Sequence, residues 1–236
     1  MRHTKLFCLS LLALAAAVPL TAQGGGAMGG MRMGNDPTNK VAGTGKLPEG
    51  WMMRFDPGAP HMAADVNFVT MGPGGFHATS GPAAIYYNPK DMGMGGGYSV
   101  SATFKQSKTN SHEAYGVFIG GHNLQDSTQN YIYLVVKPGD GSLAIARRGS
   151  DGRPTYFIAS RAGPNAAVVK DGADGSATNA LTIHVAKDTV HFVVNGTLVK
   201  AVAKSELPAG ATDGQAGIRI NHNIDVHIDG FALKKG

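Results

Sequence analysis

The chain has 236 residues, 42% of them hydrophobic, and a formal net charge of +5 from 21 Lys and Arg against 16 Asp and Glu. That is enough apolar material for a real core, and no run of Lys or Arg forms a stripe that could track phosphates, which argues against a nucleic-acid partner. The one cysteine, Cys8, excludes an intrachain disulfide.

Arg2, His3 and Lys5 precede an apolar run from Leu6 to Leu20, and the small residue Ala22 follows. This reads as a secretory signal peptide over residues 1–22, so the protein is expected to be exported, periplasmic or extracellular. The run is too short for a membrane span, and no later stretch approaches the roughly 20 apolar residues one needs. Cys8 lies inside the run, and removal of Arg2 and Lys5 lowers the charge to +3, since the segment contains no acid. Residues 23–50 are dominated by glycine and methionine and read as a flexible leader that cannot bury enough surface to offset its ordering entropy. A sharper alternative is a soft copper(I) site from Met28, Met31 and Met33, helped by Met92 and Met94.

From Trp51 to Gly236 a single domain is expected. Short strands separated by turn residues are predicted at His61 to Val69, Gly75 to Thr79, Ala83 to Tyr87 and Tyr98 to Lys105. The glycine-rich stretch Asp91 to Gly97 lacks the Lys-Ser/Thr ending of a phosphate loop and reads as a connection. Four further strands, Ala114 to Gly120, Asn130 to Lys137, Ser142 to Gly149 and Arg153 to Arg161, follow one another through turns. A four-residue loop at Pro138 to Gly141 pairs Leu134 with Ile145 and Val136 with Leu143 as core. Tyr131, Tyr133, Val135, Ala144, Ala146 and Arg148 then share the opposite face. The same parity turns Tyr156 and Ile158 inward and Phe157 outward. Small alanines flanked by Tyr131, Tyr133, Phe157 and Arg148 describe a shallow aromatic platform beside a cation, suited to the flat apolar face and the hydroxyls of a sugar. The other reading is that these rings are covered and form a second small core.

The loop Gly121 to Asp126 gathers His122, Asn123, Gln125 and Asp126, and His122 and Asn123 join the candidate ligand-binding residues. Asp171 to Gly175 alternates aspartate with glycine but lacks the further acid a calcium ion needs, so it reads as a turn and no cofactor is assigned; calcium is the one alternative. The clearest stretch is Asn179 to Ala203. Leu181, Ile183 and Val185 share a face with Val190, Phe192 and Val194, and His184 should oppose His191. Asn195-Gly196 suits a type I′ turn, which would set Phe192 opposite Val199. Ile224, Val226 and Ile228 turn Asp225, His227 and Asp229 to the other side. Asp225 and His227, two apart on one face, are the candidate catalytic pair, a carboxylate that could orient an imidazole base. A metal there would need a third ligand that the sequence does not name, nor does it name one for His184 and His191; no metal site is assigned.

About a dozen strands and no convincing helix give an all-β, antiparallel two-sheet sandwich. The motif order sharpens this: Tyr115-Gly116-Val117-Phe118-Ile119-Gly120, a tyrosine-rich strand, a Gly-Asp-Gly turn, Val194-Asn195-Gly196, and Gly217-Ile218-Arg219-Ile220 to Phe231. That order resembles the concanavalin A-like lectin/glucanase jelly roll, most nearly the 3-keto-disaccharide hydrolase-like domains of secreted bacterial proteins, with laminin-G-like domains next. The resemblance covers most of Tyr98 to Lys235. It implies a glycan partner and a carbohydrate-recognising or carbohydrate-processing role. The rivals are a glycoside or 3-keto-glycoside hydrolase or lyase using the Asp/His pair, and a structural or adhesion domain of the cell envelope. Two departures stand out. Thr178, not tryptophan, precedes Asn179, and no Glu-x-Asp-x-x-Glu strand is present, which argues against a laminarinase-type retaining mechanism. Neither the sugar nor the oligomeric state is legible.

Overall fold

A computed structural model describes residues 43–58, 65–107 and 113–236. The signal peptide, most of the leader, its three methionines and part of the strand expected from His61 lie outside the described residues. Fourteen strands are present: β1 Met52–Phe55, β2 Val66–Gly72, β3 Gly75–Ser80, β4 Ala84–Gly93, β5 Tyr98–Gln106, β6 Tyr115–His122, β7 Asn130–Lys137, β8 Ser142–Arg148, β9 Thr155–Ile158, β10 Ala177–Val185, β11 Thr189–Val194, β12 Thr197–Ala203, β13 Gly214–Ile220 and β14 Ile224–Lys235. Short 3-10 turns lie at Ser160–Ala162 and Lys204–Glu206. No helix among the described residues is long and apolar enough to cross a membrane.

The strands form two seven-stranded antiparallel sheets, in the orders β1-β4-β13-β6-β7-β8-β9 and β12-β11-β10-β5-β14-β3-β2. The fold is the expected all-β jelly-roll sandwich. Its main core lies between the sheets, where Tyr86, Tyr115, Ile132, Leu134, Ile145, Ile218 and Ile220 of the first meet Phe68, Val100, Phe104, Ile183, Phe192, Val226 and Ile228 of the second. The period-two pattern of each strand sends these side chains inward, and each such burial contributes roughly 1.5–3 kcal/mol. Leu47, just before the expected start of the domain, also packs against this core.

The predicted registers hold where no bulge intervenes. Leu134 faces Ile145 and Val136 faces Leu143; Val185 faces Val190 and His184 faces His191. Asn195 and Gly196 both take positive φ, 49° and 79°, as the tight turn requires. Two expectations are corrected by bulges, which insert one residue and reverse the parity beyond it. Between β11 and β12 the register shifts after Phe192, which faces Lys200 rather than Val199. Between β8 and β9 it shifts between Ile145 and Ala146, so that Ile145 faces Ile158 while Ala146 faces Tyr156. Phe157 is the unmatched residue and packs against the main core, whereas Tyr156 turns outward and is 45% exposed. The stretch expected to be a connection from Asp91 is also partly strand, since β4 runs to Gly93.

Candidate functional site

The outer face of the first sheet carries its own apolar layer. Tyr87, Phe118, Tyr131, Tyr133, Val135, Ala144 and Ala146 form a second cluster with Ile85, Ala114 and Leu124. Strand pairing assembles it in rows: Phe118 opposite Tyr133, and Tyr133 opposite Ala146, with Tyr156 beyond. Loops close over one end. Leu124 inserts into the cluster, and the Gln125 amide donates to the Tyr87 hydroxyl at 2.9 Å. Arg54 donates to the Asp126 carbonyl at 2.6 Å and to Asp151 at 2.7 Å, tying together the loops after β6 and β8. The expected open platform is therefore largely a second core: Tyr131 is fully buried, while Tyr133 is 4% exposed.

Beyond the covered end the same face opens into a cavity of about 280 Å³ lined by Tyr133, Tyr156, Arg148, Arg219, Asp56 and Asn221, with Val135, Ala144, Lys137, Glu113 and His222 around them. Gly116 lies between Arg219 and Val135 in one cross-strand row, and Ala144 follows opposite Val135. These small residues leave the surface low between the larger side chains.

Asp56, immediately after β1, anchors the floor. Arg219 Nη1 donates to its Oδ1 at 2.9 Å and Nη2 to its Oδ2 at 2.6 Å, a two-point grip. Arg148 Nη2 reaches the same carboxylate at 3.3 Å. Arg219 Nη1 also donates to the Tyr131 hydroxyl at 3.0 Å, and its guanidinium carbon lies 5.2 Å from the Tyr133 ring centroid, within cation–π range. Burial by itself would raise the Asp56 carboxyl, but the charges of Arg219 and Arg148 and the Arg219 hydrogen bonds hold it far below the usual carboxylate range. The Arg219 guanidinium is held still more firmly charged, because Tyr131 and Asp56 together outweigh its desolvation. Burial pushes the Tyr133 phenol upward, and the neighbouring phenol of Tyr156 adds to this. Asp56 is thus a fixed anion and not a proton donor. Among the described residues, the buried Nε of Arg148 and Oδ1 of Asn221 have no hydrogen-bond partner.

The predicted site residues divide accordingly. Tyr133 and Arg148 line the cavity, and Tyr131 supports its floor from beneath through Arg219. Phe157 is replaced by its neighbour Tyr156. His122 and Asn123 are exposed; Asn123 takes a positive φ of 51° and donates to the Thr128 hydroxyl at 3.0 Å, and neither residue lines the cavity. Asp225 and His227 sit on the outer face of the other sheet, where Asp225 Oδ1 lies 3.6 Å from His77 Nε2. They do not converge with the cavity residues. The Asp171 to Gly175 turn is closed by backbone bonds from Gly175 to Gly172 and from Gly172 to Ser176, and Asp174 accepts from the Ser176 amide at 3.0 Å.

Sequence reasoning missed Asp56, Arg219 and Tyr156. Arg219 carried a signal: it alternates with Ile218 and Ile220, which are core residues, and so had to face outward. Asp56 carried none, because it follows a strand too short to show a period.

No family model matches the chain, and no curated protein matches it. Solved structures do. The carbohydrate binding module CBM66 from Bacillus subtilis superposes with a TM-score of 0.55 at 11% identity, covering 79% of this chain and 96% of that one. A Bacillus subtilis protein of unknown function with a galectin-like fold gives 0.52 at 13%, covering 78% and 89%. The GH16 protein of the Bacteroides ovatus mixed linkage glucan PUL, solved with a G4G4G3G product, gives 0.52 at 12%, covering 78% and 94%. At these identities the likeness concerns the fold alone, a two-sheet β-sandwich of jelly-roll type.

Proposed function

We propose that this chain is an exported carbohydrate-recognising domain whose ligand occupies the cavity between Tyr133, Tyr156 and the Asp56–Arg219–Arg148 floor. The observation that carries this is the pairing of an aromatic wall with polar groups that hold one another by hydrogen bonds and ion pairs. Sugar rings present apolar C–H faces to aromatic side chains and hydroxyls to fixed donors and acceptors. The Nε of Arg148 is a donor and the Oδ1 of Asn221 an acceptor without partners; a hydroxyl can serve both, since it accepts and donates. Structural neighbours named for carbohydrate binding and for a glucan product support the reading at the level of the fold.

Recognition fits better than turnover. Asp56 is locked ionised by two guanidiniums, and the Asp225–His227 pair lies on a sheet face outside the cavity, with the Asp225 side chain 43% exposed. A glycan array probed with the purified protein tests the proposal. Binding of at least one glycan that falls about tenfold or more in Tyr156→Ala, with an unchanged melting curve, is expected. No binding to any glycan, or binding indifferent to Tyr156, would overturn it.

A further inference from the structure

The second sheet exposes a different group of side chains. Strands β3 and β14 pair so that His77 stands opposite His227, and Asp225 opposite Thr79. The residues between them, Ala78, Val226 and Ile228, are buried in the core, so the period of two places both histidines and Asp225 on the outer face. His77 Nδ1 lies 3.2 Å from His227 Nε2, and the rings meet edge to face with centroids 4.4 Å apart. The other nitrogen of His77, Nε2, lies 3.2 Å from the Thr79 hydroxyl and 3.6 Å from Asp225 Oδ1. That carboxylate oxygen is buried and has no hydrogen-bond partner among the described residues.

The Thr79 hydroxyl can accept from Nε2, with the Asp225 carboxylate nearby. In the tautomer with its N–H at Nε2, His77 presents the Nδ1 lone pair on the side of His227. A histidine whose far nitrogen faces a hydroxyl at 3.2 Å and a carboxylate oxygen at 3.6 Å, while the other nitrogen is presented, approaches the arrangement that supports metal ligation. The spacing agrees. Two imidazole nitrogens at about 2.0–2.1 Å from a tetrahedral zinc ion are about 3.3 Å apart, and the observed separation is 3.2 Å. Lys105 is in register with His227, but its ammonium is paired with Asp229 at 2.7 Å, which offsets the repulsion it would exert on a cation.

We infer that His77 Nδ1 and His227 Nε2 form a two-histidine chelate for a divalent transition metal of the zinc, nickel or copper type, with Asp225 orienting His77 from behind. Water completes the coordination, and the three-ligand cluster of a structural zinc site is not required. The site lies on the opposite sheet from the sugar cavity and is independent of it.

Zinc chloride titrated calorimetrically into chelator-stripped protein tests the assignment, with histidine ring resonances followed by NMR. The expected result is one equivalent per chain, with the His77 and His227 resonances moving together. His77→Gln and His227→Gln should each weaken uptake at least tenfold. Asp225→Asn should weaken it by about tenfold, the usual effect of removing an orienting partner. His184→Gln, from the other cross-strand histidine pair, should leave it unchanged. No uptake, uptake indifferent to His77→Gln, or loss shared equally by His184→Gln would overturn the site; Asp225→Asn without effect would overturn the orienting role. Thermal melts of the four variants, expected to match the parent because these side chains face outward, separate metal loss from misfolding.

Discussion

Replacing Asp56 with asparagine is the sharpest perturbation of the cavity floor. The side chains of Arg219 and Arg148 are 6% and 9% exposed, and both turn to the single carboxylate of Asp56, which is itself 23% exposed. Removing one partner of a buried ion pair leaves an uncompensated charge, at a cost of about 3–5 kcal/mol. Partial exposure of Asp56 puts the expected loss near the lower end, about 3 kcal/mol, which for a domain of this size lowers Tm by about 6–12 °C. The melt is read by circular dichroism at neutral pH. The double variant Asp56→Asn with Arg219→Met should be less destabilised than the sum of its parts by at least about 1 kcal/mol, because the second change removes the stranded charge. The pH dependence has a definite sign. The Asp56 carboxyl sits lower in the folded protein than in the unfolded chain, so its contribution is present above about pH 4 and disappears as pH falls toward the folded value. Asp56→Asn should lack that part of the acid sensitivity. A melting point within about 2 °C of the parent, or strict additivity in the double variant, would refute the account of the floor.

Phe157→Ala should destabilise the fold by about 2 kcal/mol through lost core packing, whereas Tyr156→Ala stays within about 0.5 kcal/mol; chemical denaturation of the two variants checks the β8–β9 bulge. Asn195→Ala should cost about 2 kcal/mol or more, because Asn195 combines a positive φ with side-chain bonds to the Ala180 amide and the Ala167 carbonyl. Asn195→Gly restores the φ and isolates the bonds. Gly116→Ala places a Cβ 1.9 Å from the Leu134 carbonyl oxygen, a backbone contact that no rotamer relieves, and is expected to abolish soluble expression. At alkaline pH, the Tyr115 phenol, pushed up to about 12 by burial, is kept neutral by the fold, so stability should fall between about pH 10 and 12 as the unfolded chain ionises first; ultraviolet titration of tyrosine follows it.

Much of this architecture is visible in the residues. The alternation of Leu181, Ile183 and Val185 with polar neighbours, the Asn195-Gly196 turn and the pairing of Leu134 with Ile145 all follow from a period of two and a tight turn. What escapes is whatever breaks the period. The bulges at β9 and β12 each add one residue whose position depends on tertiary packing, and the first of them exchanged Tyr156 for Phe157 in the expected platform. The outward parity of Tyr131 and Tyr133 was correct, yet parity states a face and not what covers it: Leu124 and the Arg54–Asp151 clamp come from distant parts of the chain. The cavity floor was hidden for the same reason. Asp56 and Arg219 are 163 positions apart, and only the β1-β4-β13 order brings them together. On the other sheet, Asp225 and His227 were visible as neighbours, but His77, which completes their group, reaches them through β3.

The most direct measurement is an amide NMR titration of the protein with the best glycan from the array. The account predicts shift changes concentrated at Tyr133, Arg148, Tyr156, Arg219 and Asn221, with the outer face of the second sheet silent. Changes centred instead on His77 and His227, or spread over residues that do not line the cavity, would contradict it.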